Sequence, residues 1–289
     1  MGAAGGTPLA AIGLVCLAGI LFVAMNAVTK ALTERFDLGM LIWARYFFHV
    51  ALVVLLFPRR LPGLLHTDQL GVQLLRSVLV LAATVLNFAA LAWLSQGEVA
   101  AITFTTPILV VALSGPLLGE IVGWRRWGAV LLGFVGALLI VRPGQETFNV
   151  GAVFALGCAL AYALYQISTR MVRETEPMGS LLYGGLVGMV ASSLLLPWHW
   201  RPPGLGEWLG LAAIGVLGAV AHLMMILALR RAQASRVSPF TYLQVVWAML
   251  STLLLFGTVP PWTTFAGAAV VAASGLLLYR LGTREAASG

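Results

Sequence analysis

The stretch that decides the fold runs from Val99 to Glu120 and reads VAAITFTTPILVVALSGPLLGE. It carries no charge between Glu98 and Glu120, and about 20 residues suffice to cross a bilayer as a helix. Pro107 interrupts the backbone hydrogen bonds beside three threonines. In lipid such a loss is tolerated only where protein or a water-filled cavity satisfies the freed groups. The stretch therefore predicts a membrane helix interrupted inside the protein.

The same stretch has a counterpart 138 residues later in the chain. ALAWLSQGEVAAITFTT (90–106) aligns without a gap with ALRRAQASRVSPFTYLQ (228–244). An offset of 140 residues joins the earlier parts of the two halves, in which Glu34 aligns with Glu174 and Gly39 with Gly179. We therefore predict two copies of one unit, a first five-helix repeat over 1–145 and a second over 146–289.

The composition is that of a membrane protein. Hydrophobic residues make up 60% of the chain, charged residues 9%, and the mean hydropathy is +0.96, all outside the range of soluble domains. The net charge of +7 does not predict nucleic-acid binding, because the arginines fall in short clusters between apolar runs. We expect the lipid bilayer as a partner and no nucleic acid. The two cysteines, Cys16 and Cys158, lie inside apolar runs and indicate no disulfide framework.

Ten apolar runs predict an all-α integral membrane protein with ten transmembrane helices. The runs cover roughly 9–29, 38–57, 71–93, 98–118, 127–141, 151–170, 179–196, 207–229, 236–256 and 263–280. If the N-terminus is cytoplasmic, twelve arginines, Arg76 among them, lie on the inner side and four Lys or Arg residues on the outer side. Basic residues concentrate in cytoplasmic loops, so we predict that both termini are cytoplasmic.

An odd number of helices in each half means that the halves enter the membrane from opposite sides. Inverted repeats are frequent in secondary transporters, whose substrate site lies near the middle of the membrane where the halves meet. The architecture therefore predicts two inverted repeats around a central cavity. A duplicated scaffold without transport is the alternative.

Polar side chains recur at matching positions of the two halves. A polar group inside the hydrocarbon zone needs a partner or water and is a candidate site residue. The repeat offsets align Asn26 with Gln166, Thr84 with His222, and Thr106 with Gln244. Each of the six lies near the middle of its run, so we expect them to face one central cavity.

Helical spacing extends this set on the sixth and ninth runs. Tyr162, Tyr165 and Gln166 fall on one helical face. Gln244 and Trp247 share a face of the ninth run, where Trp247 is the tryptophan near a helix centre. Tyr242 points elsewhere on that helix and is added as a further candidate. We predict that these residues bind substrate.

Structural roles compete with these assignments. Small polar residues such as Thr84 and Thr106 often hydrogen-bond a neighbouring membrane helix and do nothing more. His222 alone fits a packed, neutral histidine. Arg45 and His49, four residues apart on the second run, favour a structural contact or an extended arginine that reaches the interface.

The motifs of enzymes and pumps are missing from the sequence. It contains no Walker loop, no metal-ligand cluster and no paired acid and base. We therefore expect neither an enzyme nor an ATP-driven pump, with no cofactor and no metal.

Several features resemble the drug/metabolite transporter superfamily, and the EamA family in particular. These are the ten runs in two halves, the P-x(12)-E spacing from Pro107 to Glu120, the glycines Gly128, Gly133 and Gly136, and the following LLIVRP. The resemblance implies a central cavity lined by helices 1, 3, 4, 6, 8 and 9. Within this family, the sequence most resembles bacterial exporters of aromatic and other hydrophobic amino acids.

Together these observations predict a secondary transporter in the bacterial inner membrane that exports small amphipathic metabolites by alternating access. Amino acids with aromatic or hydrophobic side chains are the leading substrates, because neutral amides and rings suit a zwitterion with a flat apolar group. The alternatives are a broader drug or nucleobase-like exporter and a non-transporting membrane scaffold or sensor. A homodimer is left open.

Overall fold

The computed structural model describes residues 8–118, 124–141, 150–172, 175–231, 243–257, 259 and 261–288. Within these ranges the regular structure is helical, apart from turns and one 3-10 segment, Pro58–Arg60. The helices are α1 (Pro8–Leu32), α2 (Leu38–Leu56), α3 (Leu61–Leu64), α4 (Leu70–Trp93), α5 (Gln96–Thr103), α6 (Thr106–Leu118), α7 (Trp124–Val141), α8 (Val150–Met171), α9 (Pro177–His199), α10 (Leu205–Arg231), α11 (Leu243–Phe256) and α12 (Trp262–Ser288).

All ten apolar runs contain helix, and the fourth consists of two helices, α5 and α6. The break lies at Phe104 and Thr105, directly before the helix that contains Pro107. The hydroxyl of Thr105 donates to the carbonyl of Ile102 at 2.9 Å, so a side chain bonds the backbone at the break. The interruption expected near Pro107 is confirmed.

Six helices are long and apolar enough to cross a membrane, counted over the described residues. They are α1, α2, α4, α8, α9 and α10. Large apolar side chains cover their outer surfaces, for example Leu55 at 78% exposure and Leu205 at 89%. Such a surface is unfavourable in water and favourable in hydrocarbon. The chain is a multi-pass membrane protein.

The contacts between helices follow the repeat. When each helix is replaced by its counterpart in the other half, a contacting pair becomes another contacting pair. Helix α1 packs against α10, and α4 packs against α8, which are the same pair with the halves interchanged. Likewise α2 against α10 corresponds to α4 against α9. Helix α2 packs against its own counterpart α9, and α7 against its counterpart α12. Packing of this kind places the centre of the bundle between the two halves.

Glycines allow α2 to approach α9 and α10 closely. A Cβ at Gly188 would lie 2.4 Å from the ring of Tyr46, and one at Gly215 would lie 3.0 Å from the carbonyl oxygen of Ala44. Small residues at helix interfaces permit such close approach in membranes. The middle of α2, including Arg45, is therefore held inside the bundle.

The structure corrects the place of Arg76. The sequence predicts that Arg76 lies on the inner side with the loop arginines, but it lies in the second turn of α4 and is 1% exposed. Its helix turns a polar face inward here, because Gln73 and Ser77 are buried as well. Without Arg76 the predicted inner side holds eleven (twelve minus one) basic residues against four.

Candidate substrate site

A central cavity of about 150 Å³ lies between the two halves. Helices 1, 3, 4, 6, 8 and 9 of the repeat, which are α1, α4, α5 with α6, α8, α10 and α11, all contribute to its wall. This is the set of helices that the family resemblance implied. Helix α2 adds one further residue, Arg45.

The three polar pairs found by the repeat offsets meet in this cavity. Its wall contains Asn26 and Gln166, Thr84 and His222, and Thr106 and Gln244. The aromatic residues Phe22 and Tyr162, which are also related by the offset of 140, lie on the same wall. The structure thus brings together six positions that are far apart in the sequence.

Five amide side chains line the cavity, and they differ in how far the protein already engages them. Asn87 donates to the side-chain oxygen of Asn26 at 3.1 Å. Gln96 donates to the carbonyl of Val23 at 2.6 Å and accepts from the Ser251 hydroxyl at 2.9 Å. The remaining two amides belong to Gln166 and Gln244.

Gln166 and Gln244 have no side-chain hydrogen bond to any residue in the described ranges. Both line the cavity and are only partly buried. An amide offers two donors and a carbonyl acceptor. These two side chains are therefore available to a ligand in the cavity.

Aromatic rings form a second part of the wall. The ring of His222 meets Phe22 edge-on with centroids 4.9 Å apart, and Tyr162 with centroids 6.4 Å apart. The Tyr162 hydroxyl is buried and has no hydrogen-bond partner among the described residues. Rings in such arrangements offer flat apolar surfaces together with a few polar groups.

Both threonines of the candidate set form hydrogen bonds within the protein. Thr84 donates to the carbonyl of Val80 at 2.8 Å and accepts from the Tyr46 hydroxyl at 2.9 Å. Thr106 donates to the carbonyl of Ala159 at 3.3 Å, which connects α6 to α8. Both side chains line the cavity, but their hydroxyl protons are already used.

Two other candidates, Trp247 and Tyr165, lie outside this wall, and the structure does not describe a third. Trp247 is 44% exposed and is not among the cavity-lining residues, because its position at i+3 from Gln244 turns it about 60° away around the helix. Tyr165 lines a separate, smaller pocket. Tyr242 falls outside the described residues.

The repeat comparison missed Asn87, Gln96 and Arg45, which all line the cavity. Asn87 follows Thr84 by three residues on the same helical face, and that spacing would have revealed it. Its repeat counterpart is Met225, which also lines the cavity but is apolar. A search for polar pairs therefore passes over it.

The smaller pocket, of about 10 Å³, adjoins the cavity and shares Arg45 and His222 with it. We call it the arginine pocket. Its wall contains Arg45, Tyr46, His49, Arg76, Ser77, Val80, Tyr165, Ser180, Leu181, Gly184, His222 and Ile226. The predicted contact between Arg45 and His49 exists at 3.1 Å, between Nη1 and Nδ1. Both residues are buried, so Arg45 does not extend to the interface.

Arg76, which lines this pocket, connects three helices, α4, α8 and α9. Its guanidinium donates to Thr169 at 3.2 Å, Gln73 at 2.9 Å and the Tyr165 hydroxyl at 3.1 Å. It also donates to the carbonyl of Ser180 at 2.9 Å. Tyr165, predicted to bind substrate, therefore bonds an arginine instead of facing the cavity.

The polar groups of the central cavity are neutral amides, hydroxyls and rings, with Arg45 as the exception. In the described ranges no group of three His, Cys, Asp or Glu residues lies close enough to hold a metal ion. This chemistry suits reversible binding of an organic molecule.

Comparisons with known proteins agree on the type of protein. The model of the EamA-like transporter family matches residues 9–142 and 149–280. A riboflavin transporter of Vibrio cholerae serotype O1 is 32% identical, covering 89% of this chain and 88% of that protein. An S-adenosylmethionine uptake transporter of Rickettsia conorii is 24% identical, covering 92% and 90%. A solved crystal structure with a TM-score of 0.66 and 19% identity covers 94% of this chain and 98% of its own, which indicates a shared fold.

Proposed function

Because this chain belongs to the EamA-like transporter family, we propose that it carries a flat heteroaromatic metabolite with a polar chain, of the riboflavin type. The chain is a membrane transporter and not an enzyme. The central cavity is the proposed substrate site, and Asn26, Gln166 and Gln244 are its proposed contacts.

The observation that carries this proposal is the combination of free amides and rings on one wall. Among the residues that the structure describes, Gln166 and Gln244 have no side-chain hydrogen-bond partner, and Phe22, Tyr162 and His222 supply flat surfaces. A flavin ring has a polar edge that alternates hydrogen-bond donors and acceptors, which an amide side chain matches. Its apolar faces pack well against aromatic rings.

The two named relatives support the substrate class. Riboflavin and S-adenosylmethionine, named in those proteins, both join a flat nitrogen heterocycle to a polar chain. The amino acids favoured by the sequence analysis have no support from these names. They are the second candidate, because the free amides of Gln166 and Gln244 also suit the charged ends of a zwitterion.

We propose alternating access between two inverted repeats, 1–145 and 146–289, with ten transmembrane helices. The exchangeable packing pairs of helices and the two segments matched by the family model, 9–142 and 149–280, support this division. Both termini are proposed to be cytoplasmic in the bacterial inner membrane, on the count of eleven basic residues against four. The export direction and a homodimer both stay predictions.

Cysteine labelling in intact cells tests the topology. A single cysteine at Asp68, between α2 and α4, should react only after the cells are permeabilised. One at Gly204, between α9 and α10, should react from outside. Both positions are exposed. Reaction of both from the same side would contradict the inverted repeats.

Counterflow in proteoliposomes tests the substrate. Vesicles loaded with unlabelled riboflavin should accumulate labelled riboflavin, and adenosine-bearing compounds should compete while glucose should not. Protein-free vesicles and the Gln166→Ala variant are the controls. Counterflow of phenylalanine or tryptophan without any of riboflavin would select the amino-acid candidate. A folded protein that moves none of these solutes would favour the scaffold.

A further inference from the structure

Two arginines are buried inside the membrane-spanning bundle without a carboxylate partner. Arg45 and Arg76 are each 1% exposed. Over the described residues, the ion pairs join Arg35 to Glu207 and His199 to Asp37, both at the surface, and no described Asp or Glu side chain is buried. A buried charge without a counter-charge is strongly unfavourable. In a membrane segment it marks a functional site by default.

The neighbours of the arginines offer neutral acceptors only. The four partners of Arg76 are two hydroxyls, an amide oxygen and a carbonyl. Within the described part of the chain, Arg45 has a single hydrogen bond, to His49, and its buried Nε atom has no partner. Hydrogen bonding is therefore nearly complete at Arg76 and incomplete at Arg45, while neither charge is balanced.

Unused polar atoms gather on the side where Arg45 meets the cavity. Besides Arg45 Nε, the Nε2 atom of His49 and the Nδ1 atom of His222 are buried without a partner in the described ranges. All three residues line the arginine pocket, and Arg45 and His222 line the central cavity as well. A group that enters from the cavity thus meets a guanidinium and two imidazoles with free hydrogen-bonding positions.

The pocket limits what can enter it. A volume of about 10 Å³ is close to that of a single water molecule. A whole metabolite does not fit, but one oxygen of a carboxylate, a phosphate or another small anion does, with the rest of the group in the adjoining cavity. The guanidinium fork binds such oxygens in pairs, with short charge-assisted hydrogen bonds.

The arginines are not part of the duplicated scaffold. The offset of 140 places Gly185 opposite Arg45, and the offset of 138 places Ile214 opposite Arg76. The second half therefore packs the same positions without charge. Helix α10 also leaves room for Arg45, because a Cβ at Gly218 would lie 2.4 Å from its Nε atom.

We propose that Arg45, backed by Arg76, forms an anion subsite at the edge of the central cavity that takes one small anionic group. The group is a carboxylate or phosphate of the transported molecule, or a free inorganic anion. The first source rests on the proposed function, and the second does not. The subsite adds a charge requirement to a cavity that is otherwise neutral.

Thermal unfolding of the purified full-length chain in detergent micelles tests the free-anion source. Its nine tryptophans report unfolding while chloride, acetate or phosphate replaces a bulky sulfonate at constant ionic strength. A ligand that binds the folded state raises Tm with its concentration. We expect at least one of these anions to raise the Tm of the wild type by several degrees. Arg45→Gln should abolish this rise, and Arg60→Gln, which removes an exposed arginine, should retain it.

The second source is tested with two flavins that share one ring system. Riboflavin is neutral, whereas riboflavin 5′-phosphate carries an anionic group. If the transported molecule supplies the anion, the phosphate ester should raise the Tm of the wild type more than riboflavin does. Arg45→Gln should remove that difference, and inorganic phosphate should compete with the ester.

The outcomes separate the subsite from a purely structural role of Arg45. Two results together would overturn the proposal. Arg45→Gln would lower Tm equally in every buffer, and the Tm of the wild type would not depend on inorganic anions or on the phosphate ester. If Arg45→Gln does not fold, Arg45→Lys retains the charge but loses the fork, and the half-saturating anion concentration should rise about tenfold. An unchanged half-saturating concentration would overturn a site built on this guanidinium. Anion binding without any riboflavin transport would refute the proposed function and support the subsite.

Discussion

The central cavity and the arginine pocket adjoin each other, yet they relate to the duplication in opposite ways. The cavity wall contains three polar pairs that the repeat offsets connect, such as Asn26 with Gln166. The pocket has Arg45 and Arg76, whose counterparts Gly185 and Ile214 carry no charge. A comparison of the two halves therefore identifies positions that are polar in both, and it misses positions that are polar or charged in only one.

The packing explains why the pocket has no mirror image. In α4 the first turns carry Gln73, Arg76 and Ser77, all buried and polar. The matching positions of α10 include Leu211 and Ile214, which are fully buried in the apolar core. The first half thus stabilises the start of α4 by hydrogen bonds, and the second half stabilises the matching start of α10 by hydrophobic contact. The polar end alone provides charge beside the cavity.

The largest expected effect is on the free energy of unfolding, which should fall more when Arg76 is replaced than when Arg45 is replaced. Arg76→Leu removes the donor for Gln73, Tyr165, Thr169 and Ser180. We expect a loss of about 1.5–3 kcal/mol in the free energy of unfolding, the range for a hydrogen bond to a charged group, because the acceptors lose their donor while an unbalanced buried charge is removed with it. Arg45→Leu removes one hydrogen bond, to His49, and should cost less than half as much. Unfolding in mixed detergent micelles measures both, and equal losses would contradict the distinction.

The next effect separates an amide that is free for a ligand from one that the protein already uses. Gln166→Ala should lower riboflavin transport about 2- to 12-fold, the equivalent of one hydrogen bond of about 0.5–1.5 kcal/mol, while Tm stays unchanged. Gln96→Ala breaks bonds to Val23 and Ser251 and should lower Tm. Transport per folded protein and Tm are measured for both variants. A fall in Tm for Gln166→Ala with unchanged transport would make Gln166 a packing residue.

The smallest expected effect concerns Trp247. Its side chain is 44% exposed and lies off the cavity wall, so Trp247→Ala should leave transport per folded protein unchanged for large and small substrates. Phe22→Ala is the matched aromatic control, because Phe22 lines the cavity beside His222, and it should weaken transport of the larger substrate. If Trp247→Ala selectively lowers transport of the large substrate, the substrate binds instead at the face of α11 that carries Trp247.

Much of the fold was predictable because membrane helices are governed by length, hydropathy and repetition. The ten apolar runs, the break near Pro107 and the six paired positions on one cavity follow from these properties. The depth of Arg76 did not follow, since an arginine near the start of an apolar run resembles a loop residue. Three of the four acceptors that make its burial tolerable lie on α8 and α9, in the other half of the chain, and the fourth is Gln73 on its own helix.

The sequence predicts which face of a helix carries site residues, but not which residues of that face line the cavity. Tyr162 and Gln166 line the cavity, whereas Tyr165, on the neighbouring edge of the same face, bonds Arg76. Trp247 was expected inside because tryptophan at a helix centre is unusual, yet an angle of about 60° places it outside. A helical face spans about 100° or more, so spacing alone does not decide which edge meets the cavity.

The most direct test of the central cavity as the substrate site uses a single cysteine in its wall. Thr103 lines the cavity and is only partly buried, whereas the native Cys158 is buried, and buried thiols react slowly. Thr103→Cys is therefore made in a protein without its two native cysteines (Cys16→Ser, Cys158→Ser), and the rate at which a small maleimide alkylates it is measured in proteoliposomes with increasing riboflavin. We predict a several-fold slower reaction at saturating riboflavin, and a higher riboflavin requirement in Gln166→Ala. An alkylation rate that riboflavin leaves unchanged, in vesicles that transport it, would contradict the account.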